Sequence, residues 1–271
     1  MQPDDSKHPV VVREPYASKG ARTVLWGGWG RKVLSLPSLG RTIEGLSSRL
    51  PGQCAVCHRF PAQPVCEPCV DRFAQPVNRC RRCALPLAAE AAVCGRCIAT
   101  PPPLDACHAA VSYEYPWSEL VTQFKFHGQA GWARAIATLM RSAPWIEPAL
   151  DEADALLPMP LSPQRLAGRG FNQALQLSRQ LDASKTLATL LLRLRDTGSQ
   201  AQLDRQARLA NVKGAFAVEP LRVREVRGRR MVLVDDVMTS GASLHAAALA
   251  LRQAGAASVT ALVFARTDEP H

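Results

Sequence analysis

The segment from Met231 to Ser243 constrains the fold of this 271-residue chain more than any other. Its first residues, MVLV, have the length and β-branched content of a buried parallel strand. They end in the adjacent carboxylates of Asp235 and Asp236, and a loop rich in hydroxyl groups and glycine follows. An Ala/Leu-rich helix is predicted from Leu244 to Gln253, with Gly255 as its stop signal. This order predicts an α/β fold with a parallel sheet flanked by helices.

The loop between this strand and this helix has the properties of a phosphate-binding site. Backbone N–H groups and the positive end of the helix dipole favour an anion there. The predicted phosphate-binding residues are Met238, Thr239, Ser240, Gly241, Ala242 and Ser243. The two carboxylates of Asp235 and Asp236 can accept hydrogen bonds from the 2′- and 3′-hydroxyls of a ribose, or hold hydrated Mg²⁺.

The segment resembles the signature of type I phosphoribosyltransferases, which bind phosphoribosyl diphosphate (PRPP). Ser240 and Ser243 stand where threonine is commoner, so the hydroxyl groups are kept. The resemblance implies a type I phosphoribosyltransferase-like sheet, Asp235 and Asp236 as catalytic residues, and Mg²⁺ bound with PRPP. The alternative is an ordinary strand–turn–helix with two solvated acids.

Nine cysteines are present, and eight of them form four CxxC pairs. Two such pairs complete a tetrahedral zinc site, and four thiolates leave no open coordination position, so the zinc is predicted to be structural. The predicted ligands are Cys54, Cys57, Cys66, Cys69, Cys80, Cys83, Cys94 and Cys97. Two consecutive ribbons and an interleaved arrangement fit the spacing equally, with one or two zinc ions. A redox role for a CxxC pair is the other alternative, and the unpaired Cys107 is expected to be a buried apolar residue.

Hydrophobic residues make up 47% of the chain and the mean hydropathy is −0.07, as in soluble proteins with a packed core. No apolar run has the length of a membrane span, and the first ten residues lack the apolar centre of a signal peptide. We therefore expect a cytoplasmic protein without membrane insertion. Reduced thiols in that compartment agree with zinc binding.

The formal net charge is +10, and two tetrathiolate zinc sites would lower it to about +6. The surplus lies between Pro163 and Arg230, with 14 Lys/Arg against five Asp/Glu. A solvated surface is the default explanation for the arginines at 222–230, and contact with nucleic acid is the alternative. For the arginines nearer the phosphate loop, a polyanionic substrate is the better explanation.

Two further segments match parts of the phosphoribosyltransferase fold. After a predicted strand at 155–160, a polar loop enters an amphipathic helix near Phe171, and the resemblance places Arg165, Arg169 and Asn172 at the diphosphate. The polar stretch 195–216 stands where this fold has a mobile loop over the substrate. The candidate residues in that loop are Gln200, Arg205 and Arg208. A single surface helix at 202–210 is the alternative.

The motifs in combination are similar to those of the ComF family of phosphoribosyltransferase-like proteins. They are the tandem CxxC pairs, FKFHG at 124–128, PMPLSPQRLAGRGFNQA at 158–174, RDTGSQAQLDRQARLANVKGAF at 195–216 and VLVDDVMTSGASL at 232–244. This resemblance implies a double zinc ribbon before the transferase-like domain and, for some members, a role in DNA uptake. Lys125 and His127 of FKFHG are expected to approach the substrate cleft.

We predict three parts of the chain: residues 1–50 as a disordered or partly helical extension, 51–100 as the double zinc ribbon, and 104–271 as the phosphoribosyltransferase-like domain. Within the last part, 111–115 is predicted as an entering strand and 117–141 as a helical hood over the site. The predicted core elements are 155–160, 171–182, 188–195, 231–235, 243–254 and 258–265.

Three functions fit these features. The first is transfer of phosphoribosyl from PRPP to an acceptor in nucleotide or DNA metabolism. The second is non-catalytic binding of single-stranded DNA or nucleotides during DNA uptake, although an aromatic content of 6% offers little for base stacking. The third is a regulator or assembly adaptor whose zinc ribbons bind a protein partner, such as one of the DNA-uptake machinery, with PRPP as the signal.

Overall fold

The computed structural model describes residues 52–60, 62–88, 91–126, 131–195 and 214–268. All of them belong to one unit, Pro51–His271. The extension at 1–50, the predicted mobile loop with Gln200, Arg205 and Arg208, and His127 lie outside the described residues. The division into 51–100 and 104–271 stays a prediction.

The described part of the chain contains six β-strands and eight α-helices. The strands are β1 (Ala106–Ser112), β2 (Ala155–Pro158), β3 (Leu191–Arg193), β4 (Phe216–Val218), β5 (Arg230–Met238) and β6 (Ser258–Arg266). The α-helices are α1 (Glu67–Phe73), α2 (Gly95–Ala99), α3 (Trp117–Phe126), α4 (Trp132–Ser142), α5 (Ile146–Glu152), α6 (Pro163–Arg169), α7 (Gln173–Asp182) and α8 (Ala242–Gln253). A 3₁₀ helix spans Pro220–Glu225.

The central sheet is parallel and has the strand order β1-β6-β5-β2, as the sequence predicts for this fold class. Strand β5 alternates between two cores, because successive side chains of a strand point to opposite faces. Met231 and Leu233 pack with α8 in one core, and Val232 and Val234 pack with α3, α4 and α7 in the other. Both faces of the sheet are thus covered, which explains why β5 is apolar without alternation.

Two strands differ from the prediction in their bounds. Strand β1 begins at Ala106, five residues before the predicted start, because its pairing with β6 extends along a small-residue sequence that carries no strand signal. Strand β5 does not end at Asp235, the last residue of the predicted strand 231–235. It runs through Asp235 and Asp236 to Met238, because Asp235, Val237 and Met238 continue the register with β6.

The prediction of a parallel core strand at 188–195 is wrong. Strand β3 pairs only with β4, in an antiparallel two-stranded sheet of its own. Just before β3, Thr186 forms one isolated parallel β-bridge to Leu156 of β2, at the edge of the central sheet. The apolar composition of this run does not show that the chain leaves the edge of β2 after Thr186 and then forms a separate two-stranded ribbon. The predicted hood at 117–141 consists of two helices, α3 and α4. The stretch before α7, predicted as a polar loop, contains the helix α6.

Among the described residues, every helix is too short or too polar to cross a membrane.

Candidate functional site

A cleft opens at the carboxyl ends of β2 and β5. After β5 the chain crosses through α8 to β6, whereas after β2 it leaves through α6 and α7, so the cleft lies where the connections diverge. Open parallel sheets bind their ligands at this position. The lining residues are Lys125, Met159, Pro160, Leu161, Arg165, Arg169, Arg193, Asp235, Asp236, Val237, Met238, Thr239, Ser240, Gly241, Ala242, Ser243 and Leu244. The structure therefore brings together both acids, the predicted phosphate loop and two of the predicted arginines.

The loop from Thr239 to Gly241 turns tightly into the N-terminus of α8. Gly241 has φ +78°, and a Cβ atom there would lie 2.4 Å from Cε of Met238 and 3.0 Å from Nε2 of His245. Glycine is therefore required at this turn. Ser240 is buried, and its hydroxyl accepts a hydrogen bond from the backbone N–H of Ala242 at 3.4 Å. The 12-residue helix α8 directs the positive end of its dipole into the cleft.

The two acids have different surroundings. Asp236 is only 6% exposed, and its Oδ2 atom lies 3.1 Å from Nζ of Lys125 on α3. Asp235 is half-buried and accepts a hydrogen bond from the backbone N–H of Asp236 at 2.9 Å. Burial, reinforced by the charge of Asp236, raises the pKa of Asp235 far above the usual range of an aspartate. The pair thus carries one carboxylate neutralised by lysine and one that gains a proton easily.

Three arginines surround the opposite side of the cleft. Arg165 is exposed on α6, whereas Arg169 is half-buried and donates from Nη1 to Oε1 of Gln173 at 3.0 Å. Burial lowers the pKa of Arg169, although the charge of Asp236 opposes this change. Arg193 reaches the cleft from β3, with its guanidinium 5.5 Å from the ring centroid of Phe216.

Asn172 has a structural position rather than one on the cleft wall. Its side chain caps α7 by accepting from the backbone N–H of Leu175 at 3.1 Å, and it donates to the carbonyl oxygen of Met159 at 3.0 Å. Because Met159 lines the cleft, Asn172 holds one part of its wall. A direct contact of Asn172 with diphosphate stays a prediction.

Sequence reasoning did not name Arg193 as a site residue. It lies at the end of a three-residue strand, and only the antiparallel pairing with β4 directs it to the cleft. For Met159, Pro160 and Leu161 a signal was available, because they directly follow a buried strand, the position at which such folds place their ligand. Lys125 was expected to approach the cleft, and the structure confirms this.

Two groups of four cysteines form candidate zinc centres, and the pairing is consecutive, not interleaved. The first consists of Cys54, Cys57, Cys66 and Cys69, and the second of Cys80, Cys83, Cys94 and Cys97. In each group the sulfur atoms lie within 4.8 Å of one another, with separations of 3.9 Å, 3.5 Å and 3.7 Å for three of the pairs. Zinc–sulfur bonds of about 2.3 Å in a tetrahedron require sulfurs about 3.8 Å apart, so both groups fit zinc.

Backbone hydrogen bonds prepare particular sulfurs for a metal ion. Burial raises the pKa of the Cys54 thiol, but hydrogen bonds from the backbone at Cys57, Cys66 and Val56 outweigh it and lower the pKa to about 6. In the second group the backbone N–H of Cys94 donates to Sγ of Cys80 at 3.3 Å. Such contacts favour thiolates, the form in which cysteine binds zinc. Cys107 lies outside both groups and is buried, as predicted.

Comparison with known proteins agrees with this geometry. Residues 166–271 match the family model of the phosphoribosyl transferase domain. The chain is 33% identical over 228 residues to DNA utilization protein YhgH of Salmonella typhimurium, covering 80% of this chain and 98% of that protein. It is 33% identical over 196 residues to Competence protein F of Haemophilus influenzae, covering 69% and 84%. It is 31% identical over 157 residues to Competence protein ComFC of Bacillus subtilis, covering 58% and 62%.

The near-complete coverage of the first relative, the transferase-type domain and the two cysteine groups point to one family. The chain belongs to the ComF family of phosphoribosyltransferase-like proteins.

Proposed function

We propose that this protein binds PRPP together with Mg²⁺ in the cleft between β2 and β5. One observation carries the proposal: two adjacent carboxylates, a hydroxyl-rich loop at a helix N-terminus and three arginines line the same cleft. A carboxylate pair suits a ribose diol or a hydrated cation, and the loop and arginines suit phosphates. PRPP has a ribose diol and phosphate groups at both ends of the sugar.

In this proposal each part of the ligand has its own residues. The loop 239–243 binds the 5-phosphate, and Asp235 and Asp236 accept hydrogen bonds from the ribose hydroxyls. Arg165, Arg169 and Arg193 bind the diphosphate. Mg²⁺, when bound, would neutralise diphosphate oxygens, and the half-buried carboxylate of Asp235 is available near it.

In this proposal Lys125 has two roles. Its ammonium group forms an ion pair with the buried carboxylate of Asp236, which offsets the cost of burying that charge. When PRPP enters, the ribose hydroxyls become donors to Asp236, and the ammonium group can turn towards a phosphate oxygen. Lys125 therefore links ligand binding to helix α3 of the hood.

We further propose that the bound PRPP serves as a phosphoribosyl donor. A nucleophile on the acceptor forms a bond to C1 of the ribose, the bond from C1 to the diphosphate oxygen breaks, and the acceptor's proton passes to solvent. The carboxylates of Asp235 and Asp236 stabilise the positive charge that develops on the ribose as diphosphate leaves. Arginines at the diphosphate stabilise the leaving group.

Single-stranded DNA is a second candidate ligand, and one observation favours it. Phe126 is 65% exposed at the end of α3, and the guanidinium of Arg169 lies 5.3 Å from the centroid of its ring. Because Arg169 also lines the cleft, an exposed aromatic ring stands at the rim of the phosphate site. Bases stack on such rings and on arginine planes.

The names of the relatives bear on the cellular role. Two are competence proteins and one is a DNA utilization protein. We propose that this chain likewise acts in DNA uptake, in the cytoplasm, where reduced thiols are available for zinc, and that its zinc ribbons bind a partner of that machinery.

A thermal-shift screen tests the proposal, with PRPP plus Mg²⁺, ribose 5-phosphate, mononucleotides and single-stranded DNA as ligands. PRPP at about 100 times its dissociation constant should add about 2.7 kcal/mol to the free energy of unfolding. Asp236→Asn should abolish this gain, whereas Asp151→Asn, an exposed change on α5, should preserve it. Stabilisation by single-stranded DNA alone, equal in wild type and Asp236→Asn, would favour the second candidate.

The transfer step is tested separately, by measuring the release of diphosphate from PRPP after an acceptor is added.

A further inference from the structure

The two zinc centres pack against opposite faces of the sheet. Cys54, Cys66 and Cys69 of the first belong to the core that contains α3, α4 and α7. Cys80, Cys83 and Cys97 of the second belong to the core that contains α8. The second core also holds Met238, Ala242 and Leu244, which flank the phosphate loop. The two centres therefore support different parts of the cleft.

The first centre is joined to the hood. The indole N–H of Trp117, the first residue of α3, donates to the carbonyl oxygen of Phe73 at 2.9 Å. Phe73 ends α1, the helix that carries Cys69, and its ring packs edge-on against Tyr115 with centroids 5.7 Å apart. These contacts fix the start of α3, and Lys125 lies near the end of that helix.

The second centre is joined to the phosphate loop through one side chain. Arg266, the last residue of β6, is fully buried. Its Nε donates to the carbonyl oxygen of Cys83 at 2.9 Å, and its Nη1 donates to the carbonyl oxygen of Met238 at 3.2 Å. A single guanidinium thus bridges a zinc ligand residue and the first residue of the phosphate loop.

Met238 is held at its side chain as well. Its sulfur lies 3.4 Å from Sγ of the buried Cys107, and its methyl carbon occupies the space where a Cβ of Gly241 would be. Cys107 in turn donates its backbone N–H to the carbonyl oxygen of Arg81, within the third CxxC pair, at 2.7 Å. A shift of this CxxC pair would therefore reach Met238 through both its carbonyl oxygen and its thioether.

Charge adds to this connection. A buried guanidinium is costly unless negative charge lies close to it. A zinc ion with four thiolates has a net negative charge, and Arg266 binds the backbone of one of those four residues. Zinc at the second centre would therefore favour the buried position of Arg266. In that position Arg266 binds the carbonyl oxygen of Met238, which also accepts a hydrogen bond from the backbone N–H of Thr267 at 3.1 Å.

We propose that the second zinc centre sets the conformation of the phosphate loop through Arg266, while the first centre supports the hood. Arg266 is a positioning residue, since it touches the loop backbone and the zinc ribbon but does not line the cleft. The proposal rests on the proposed function only for its ligand, PRPP. The structural part does not depend on PRPP binding. It says that zinc at the second centre controls the conformation of residues 239–243, through the ligands Cys80, Cys83, Cys94 and Cys97.

The test compares matched variants of the zinc-loaded protein. Cys57→Ser and Cys94→Ser each remove one of the less buried ligands, from the first and second centre respectively. Arg266→Lys keeps the charge but loses the two-sided bridge, and Arg179→Lys on the exposed surface of α7 is its control. Each variant is measured for bound zinc, for amide hydrogen exchange without ligand, and for PRPP affinity with Mg²⁺.

We expect Cys94→Ser and Arg266→Lys to speed exchange of the amides at 239–243, and Cys57→Ser to speed exchange in 117–126 instead. Arg266→Lys should retain both zinc ions, yet weaken PRPP binding by about tenfold to a hundredfold, as small displacements of a positioned site do. Arg179→Lys should match wild type. Unchanged exchange at 239–243 in both Cys94→Ser and Arg266→Lys would overturn the proposal. If wild type does not bind PRPP while the exchange pattern holds, the proposed function fails and the coupling stands.

Discussion

Lys125 and Asp236 form an ion pair, with Nζ 3.1 Å from Oδ2, that joins the hood to the strand carrying both acids of the cleft. Only 18% of the lysine side chain and 8% of the aspartate side chain are exposed, so both charges are largely removed from water. Removing one member of such a pair leaves the other charge buried without its partner. We therefore expect each side chain to depend on the other in the folded protein.

Lys125→Met should reduce the free energy of unfolding by about 3 kcal/mol, because it leaves the carboxylate of Asp236 in a buried place without a counter-charge. The double variant Lys125→Met/Asp236→Asn should recover much of this loss. Urea denaturation of the two single variants and the double variant measures the coupling. Strictly additive effects would show that the two side chains do not stabilise each other.

The Asp235 carboxyl should make stability depend on pH. Burial, together with the charge of Asp236, raises its pKa from 3.8 to about 7. Between these values the folded state binds more protons than the unfolded state, so this group's contribution to stability falls as pH rises through the interval. Asp235→Asn should flatten that fall, which denaturant titrations from acid to neutral pH measure. An unchanged slope in the variant would contradict the raised pKa.

PRPP binding should show the opposite trend with pH. The proposed contacts of Asp235 with ribose hydroxyls or hydrated Mg²⁺ need the ionised carboxylate. The protein's affinity for PRPP should therefore increase as pH rises towards the raised pKa of Asp235. Binding should also release protons near neutral pH. Calorimetry in buffers with different ionisation enthalpies detects this proton release. If Asp235→Asn released the same number of protons, the release would come from a group other than Asp235.

Gly241→Ala should damage the loop that the proposal assigns to the 5-phosphate. The new Cβ would lie 2.4 Å from Cε of Met238. The backbone would also keep φ +78°, a conformation that is strained for any residue with a Cβ atom. We expect a loss of about 1–3 kcal/mol in stability and no measurable PRPP affinity. Gly131→Ala is the matched control, because its Cβ would meet nothing within 4 Å. Wild-type affinity in Gly241→Ala would contradict the assignment.

Metal analysis should find two zinc ions per chain, because the eight cysteines form two separate groups. Removing the zinc with a chelator should unfold the ribbons, and the loss of circular dichroism and of cooperative melting would report it. One ion per chain in the fully loaded protein would contradict two closed centres.

The parts of the fold that were predictable are those fixed by local chemistry. The apolar run before Asp235, the glycine at the turn and the Ala/Leu helix determine β5, the loop and α8 within a few residues. The CxxC spacing identified the eight cysteines that form the two groups but not how they are grouped, since two arrangements fitted equally. Only the folded ribbons, with the backbone of Cys66 and Cys94 bound to sulfurs of the preceding pair, show that the groups are consecutive.

The parts that were not predictable depend on distant contacts. Arg193 reaches the cleft through a short antiparallel ribbon, and Arg266 is buried because it meets a carbonyl oxygen 183 residues earlier in the chain. The predicted start of β1 is too late for the same reason. Pairing with β6 defines that strand, whereas the small residues of β1 give no strand signal. Pairing of this kind leaves no local signal in the sequence.

Isothermal titration of the zinc-loaded protein with PRPP in the presence of Mg²⁺ tests the central claim most directly. The account predicts one PRPP per chain, an affinity that falls sharply when Mg²⁺ is omitted, and loss of binding in Asp236→Asn but not in Asp151→Asn. Two results would contradict the central claim that Asp235, Asp236 and the loop between β5 and α8 bind PRPP. They are the absence of binding heat with wild type, and equal binding by wild type and Asp236→Asn.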